Sequence, residues 1–161
     1  GQEPPQSEKE NNEGEVRSFS KGWGLAGLRL GCLISNDKII SILHKVKPMY
    51  EINNVGAYIL EKFLQKKYFQ SIKVSVNKLL EGKKYFIDFL KKNNINFIDT
   101  KANFIHVELG KNAKKIEREL NKIIYFRNMS SFKLLKNFYR FSLTNKKNFI
   151  KISKIINKYY D

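Results

Sequence analysis

The chain has 161 residues, a single cysteine, two histidines and a formal charge of +16, with 42% apolar and 13% aromatic residues. That is enough apolar matter for one domain with a buried core, so wholesale disorder is excluded, and one cysteine excludes an internal disulfide framework and points to a reducing, cytoplasmic setting. No apolar run reaches the roughly 18 residues of a spanning helix and no signal peptide opens the sequence, which sets aside membrane and secreted classes.

Residues 1–15 are polar, hold two prolines and have no apolar side chain. They predict a disordered tail or linker. Five glutamates against Lys9 make residues 1–16 net −4, so the body carries +20. A basic body raises nucleic acid as a partner, but no zinc-finger, KH or RNP pattern accompanies the charge. Abundant Lys, Asn and Ile explain it more simply as composition, so nucleic acid is not expected.

From Val16 the chain turns dense in Gly, Ser and apolar residues. Leu28 to Ile34 predicts a buried strand. Ser35-Asn36-Asp37 caps a helix over Lys38 to His44, which Pro48 ends. Asn53-Asn54 opens a longer helix with Val55, Ile59 and Phe63 four apart. A second long helix carries Ile72, Val76, Leu79, Leu80, Phe86 and Leu90 and stops at Asn93-Asn94. The aromatics Tyr50, Tyr58, Phe63, Tyr68 and Phe69 read as helix core. Then the period shortens. Asn96–Asp99 and Asn103–Val107 predict two strands around Thr100-Lys101. Lys111–Lys122 predicts a charged helix, and Ile123–Arg127 and Phe138–Leu143 two more strands. Thr144 or Asn145 caps a last helix with Phe149, Ile150, Ile152, Ile155 and Ile156 inward. The order predicts an α/β layer, a sheet covered by helices.

Chemistry concentrates at residues 18–29. Gly22-Trp23-Gly24-Leu25-Ala26-Gly27 matches the GxGxxG template, yet no apolar strand precedes it and no helix follows, so a dinucleotide site is not supported. Lys21 is flanked by Ser18, Ser20 and Gly22, with Arg29 eight positions on. Hydroxyls and a guanidinium make a phosphate cradle, and an amine beside a phosphate site is what a pyridoxal phosphate Schiff base requires. The two histidines are far apart and lack partner ligands, so no metal site is expected.

The run SFSKGWGLAGLRLG closely resembles the cofactor-lysine signature of fold-type I, class I/II aminotransferases, in the histidinol-phosphate aminotransferase branch. Lys47-Pro48-Met49-Tyr50-Glu51-Ile52-Asn53, Ala102-Asn103-Phe104, Ile123–Arg127 and Tyr139-Arg140-Phe141-Ser142-Leu143 resemble later segments of the family. The resemblance implies the C-terminal part of a pyridoxal 5'-phosphate-dependent transferase fold. Residues 16–53 would be the remnant of the large domain, and 54–161 the interdomain helix and small domain. It further implies that Lys21 is catalytic and forms the Schiff base. Ser18, Ser20 and Arg29 would hold the cofactor phosphate, Arg140 the substrate carboxylate, and Arg127 a second substrate anion. The partners implied are an amino acid and a 2-oxo acid, and a homodimer.

The sequence departs from the family at Cys32, where Tyr is frequent, and at Glu51, where Asn is usual. The family's cofactor-binding large-domain half has no counterpart here. Apolar surface at Leu28–Ile34 is therefore expected to be exposed, and the isolated chain is expected to bind cofactor poorly and to be nearly inactive. A phosphoamino-acid decarboxylase of the same fold and a non-catalytic basic binding module stand as alternatives.

Overall fold

Asparagine marks the start of three helices. In a computed structural model, which describes residues 14–160, the side chains of Asn36, Asn53 and Asn145 accept from the backbone N–H groups of Ile39, Gly56 and Asn148 at 3.0, 2.7 and 3.0 Å. Each satisfies a donor that the first helical turn leaves unpaired, a contribution of about 1 kcal/mol. The helices they open are α1 (Asp37–Val46), α2 (Asn54–Phe63) and α5 (Lys146–Tyr159). Helix α3 (Lys66–Lys92) ends before Asn94, whose φ of 53° lies in the left-handed region that terminates helices. Helix α4 covers Ala113–Leu120. Among the described residues no helix is long and apolar enough to cross a membrane.

The chain divides into two units, one up to Phe69 and one from Gln70 onward, so the first turn of α3 counts with the first unit. In the first unit β1 (Glu15–Ser18) and β2 (Gly31–Ile34) form an antiparallel hairpin, with Ser18 opposite Gly31 and Glu15 opposite Ile34. The expected tail at 1–15 lies outside the described residues up to Glu13, whereas Glu15 already belongs to β1. The sequence conceals β1 because all four of its residues are exposed and show no buried alternation.

The expected strand at Leu28–Ile34 is shorter than its apolar run. Ala26–Leu28 forms a 3-10 turn, and Arg29, at φ 54°, breaks the extended backbone before Gly31. Leu33 and Ile34 are exposed, as expected of the Leu28–Ile34 stretch, while Leu30 is buried; Val16 on β1 is exposed as well. The aromatic residues read as helix core are not: Tyr50 is 90% exposed and Tyr58 60%. Helix α2 buries only Gly56, while its Phe63 ring stacks on Tyr68 with centroids 5.4 Å apart.

The second unit holds a four-stranded antiparallel sheet in the order β3-β4-β6-β5. Its strands are β3 (Phe97–Ile98), β4 (Phe104–Glu108), β5 (Arg127–Asn128) and β6 (Phe138–Ser142). Alternation sends Ile105, Val107, Tyr139 and Phe141 to one face. There they pack with Phe86 and Leu90 of α3, Ile116 and Leu120 of α4, and Phe149, Ile152 and Ile156 of α5. Phe86 is fully buried and stacks on Phe149 with centroids 4.4 Å apart; burying a side chain of this size contributes about 2–3 kcal/mol.

The strand expected over Ile123–Arg127 is confined to Arg127–Asn128. The N–H groups of Ile123 and Ile124 both bond the Leu120 carbonyl, so the end of α4 captures this β-branched run. Leu80, expected on the inward face of α3, is exposed. The sheet covered by helices is as the periodicity predicts.

Candidate active site

Residues 18–29 connect β1 to β2 as a folded loop rather than an open one. Phe19 N–H bonds the Leu30 carbonyl at 3.2 Å, adding a rung to the hairpin, and Leu25 N–H returns to the Phe19 carbonyl at 3.0 Å. Gly24 N–H closes a turn onto the Lys21 carbonyl at 3.1 Å, and Gly24 has φ +69°, which only glycine adopts at little cost. Phe19 and Leu30 are buried beneath the loop. Trp23 meets Phe19 edge-on at 5.3 Å and Phe69 at 5.8 Å, so its role here is packing. Gly31 is required by the hairpin itself, since a Cβ there would lie 2.9 Å from the Arg17 carbonyl oxygen.

The apolar members of the loop are thus tucked in and its polar members turned out. Lys21 is exposed and carries no ion pair among the described residues. Ser18 Oγ accepts from Ser20 N–H at 3.1 Å, which brings the two serines together. Arg29 is exposed, with Nη1 donating to the Ala26 carbonyl at 3.4 Å. Arg29 also borders an open cleft of about 340 Å³ with Gly31, Cys32, Glu51 and Ile52; Lys21 and the serines do not line it. Glu51 accepts from Lys47 at 3.0 Å across one helical-type interval, an exposed pair worth about 0.5 kcal/mol.

The donor set on this one connector is an amine, two hydroxyls and a guanidinium. It fits a phosphorylated aldehyde: the amine for the carbonyl carbon, the other three for the phosphate.

The second unit carries a different arrangement. Arg140 on β6 lies directly opposite Arg127 on β5 and His106 on β4. Directly opposed residues of an antiparallel pair share a face, with Cβ atoms about 4.5–5.5 Å apart. These three therefore form a row on the sheet face away from the helices. The Arg140 guanidinium lies over the Phe104 ring, 5.2 Å from its centroid. Neither arginine has a carboxylate partner among the described residues. Like charges placed opposite each other destabilise a sheet, so such a pair is what an anion-binding surface retains. Both arginines are legible in the sequence, whereas His106 shows there only as a histidine without metal-ligand partners. Its place in the row becomes visible only with the strand register.

Comparison with known proteins gives the family. Residues 5–153 match the model of the family described as aminotransferase class I and II. The chain belongs to this family. It is 36% identical over 139 residues to a histidinol-phosphate aminotransferase of Clostridium novyi, covering 85% of this chain and 38% of that one. Among solved structures it resembles a protein of Burkholderia pseudomallei described as an aminotransferase, with TM-score 0.76, 25% identity, and coverage of 94% of this chain and 46% of that one. It also shares its fold with L-threonine-O-3-phosphate decarboxylase of Porphyromonas gingivalis, at TM-score 0.66, 15% identity, and 90% and 46% coverage. The chain thus spans 38% of the length of the curated relative and just under half of both structures. The expected class I/II aminotransferase fold is the one found.

Proposed function

We propose that the chain is the C-terminal portion of a pyridoxal 5'-phosphate-dependent aminotransferase similar to histidinol-phosphate aminotransferase. Its reaction moves an amino group between an amino acid or amino-alcohol phosphate and a 2-oxo acid. The observation that carries this reading is Lys21 displayed without an ion pair on the same folded connector as Ser18, Ser20 and Arg29.

When bound, the cofactor supplies an electron sink for the bond broken at the substrate's α-carbon. The rest falls to side chains of this chain. Lys21 Nζ is the nucleophile toward the aldehyde carbon and, once displaced by the incoming amine, the base that takes the Cα proton. Ser18 and Ser20 hydroxyls donate to phosphate oxygens, and Arg29 neutralises their charge. Arg140 grips the α-carboxylate through two parallel N–H donors, which orients the Cα–H bond. Arg127 takes a second anionic group. A cytoplasmic homodimer fits this reading, with residues 16–53 belonging to a large domain and 54–161 to the interdomain helix and small domain.

Product analysis tests it. Incubation with pyridoxal phosphate, an amino donor and a 2-oxo acid is expected to give a keto product, slowly where the chain acts alone. Carbon dioxide without keto product would place the protein with the decarboxylases instead. DNA binding with a steep salt slope that survives Lys21→Ala, in a protein without turnover, would favour the binding module.

A further inference from the structure

The row across the second sheet contains a residue that the proposed reaction does not use. His106 is only 9% exposed, and its Nε2 is buried without a hydrogen-bond partner in the protein. Its ring meets Phe104 edge-on at 5.1 Å, and the same Phe104 ring lies beneath the Arg140 guanidinium at 5.2 Å. One aromatic ring thus holds both cross-strand neighbours.

The state of the imidazole follows from its burial. A buried N–H without an acceptor costs more than a buried lone pair. The neutral ring therefore keeps its proton on Nδ1, the nitrogen that is not buried without a partner. Nδ1–H is then a third donor beside two guanidinium groups, on strands β4, β6 and β5 in turn.

We propose that His106 is a specificity-determining member of this anion row: it donates from Nδ1 to an oxyanion seated on Arg140 and favours doubly charged oxyanions over singly charged ones. The proposal rests on Arg140 being an anion-binding arginine. Burial first, and the Arg140 charge second, hold His106 below the usual histidine range. A dianion on Arg140 cancels the second cause, so binding raises the His106 pKa. By reciprocity the dianion binds more tightly as pH falls through that pKa. Three other charged groups stand near the ring. Arg127 lies one strand further on. Glu108, two residues along β4, accepts from Asn96 at 2.9 Å, and Asp99, next to the ring's β3 partner Ile98, pairs with Lys83 at 2.6 Å.

NMR titration of the full chain tests the proposal with sulfate, a dianion across the whole range, against chloride at matched ionic strength. Sulfate is expected to shift the side-chain N–H signals of Arg127 and Arg140. It should also raise the His106 midpoint by about half a unit or more, roughly threefold in affinity between the two protonation states. Arg140→Gln should abolish the sulfate effect on His106. His106→Gln, which keeps a donor, should retain sulfate binding and lose its pH dependence. Arginine signals that shift while His106 does not would overturn the role of His106 and leave the row an anion site. No shift at any of the three would overturn both.

Discussion

Gly82 is buried in α3 where the chain leaving β6 enters α5. A Cβ added there would overlap the Thr144 carbonyl oxygen and lie 2.9 Å from the Asn145 carbonyl carbon and 3.0 Å from Lys146 N. All three obstacles are backbone atoms, so no flexible side chain can yield. Gly82→Ala must push the start of α5 outward, and with it Phe149, Ile152 and Ile156. Overpacking of this kind costs about 1–3 kcal/mol, and a backbone obstacle puts it at the upper end. Alanine returns about 1 kcal/mol of helix propensity. The net expectation is a loss of about 2 kcal/mol, measured as a lower midpoint in urea unfolding. Gly27→Ala is the control, since a Cβ there meets nothing within 4 Å. The displacement should also weaken sulfate binding, because β6, which carries Arg140, ends at Ser142, two residues before Thr144. A Gly82→Ala protein as stable as the Gly27→Ala control would refute the close-approach argument.

Gly31→Ala sets a Cβ 2.9 Å from the Arg17 carbonyl oxygen and should splay the hairpin; pyridoxal phosphate retention is expected to fall several-fold, read by spectroscopic titration. The Tyr139 hydroxyl donates to Glu117 at 3.0 Å and is held up to about 12, by burial first and then by that bond. The folded state therefore keeps a proton that the unfolded chain loses near pH 10. Its stabilisation is whole below pH 10 and lost as pH rises toward 12, up to about 3 kcal/mol. Tyr139→Phe should cost about 1–2 kcal/mol at neutral pH and remove that alkaline loss, seen in unfolding curves against pH.

The features legible in the sequence are those set by short-range chemistry. Asparagines at 36, 53 and 145 announce helix starts because their side chains cap locally. The strand around Arg140 and the final helix show their periods plainly. The lysine run is legible for another reason: it resembles a family signature over one ungapped stretch. What stayed hidden depends on distant partners. β1 exists because β2 pairs with it, not because its own residues alternate. Ile123 and Ile124 have strand propensity, but the Leu120 carbonyl is nearer than any strand. Leu28 and Leu30 look like one strand face until Arg29 turns left-handed between them. His106 joins Arg140 and Arg127 only through register, which no local pattern encodes.

The chain has 26 lysines, and Lys21 is the one proposed to take the aldehyde. Borohydride reduction in the presence of stoichiometric pyridoxal phosphate, followed by peptide mass mapping, reads the choice directly. The label is expected on the peptide containing Lys21 and absent after Lys21→Ala. Label spread over the surface lysines, unchanged in that variant, would contradict it.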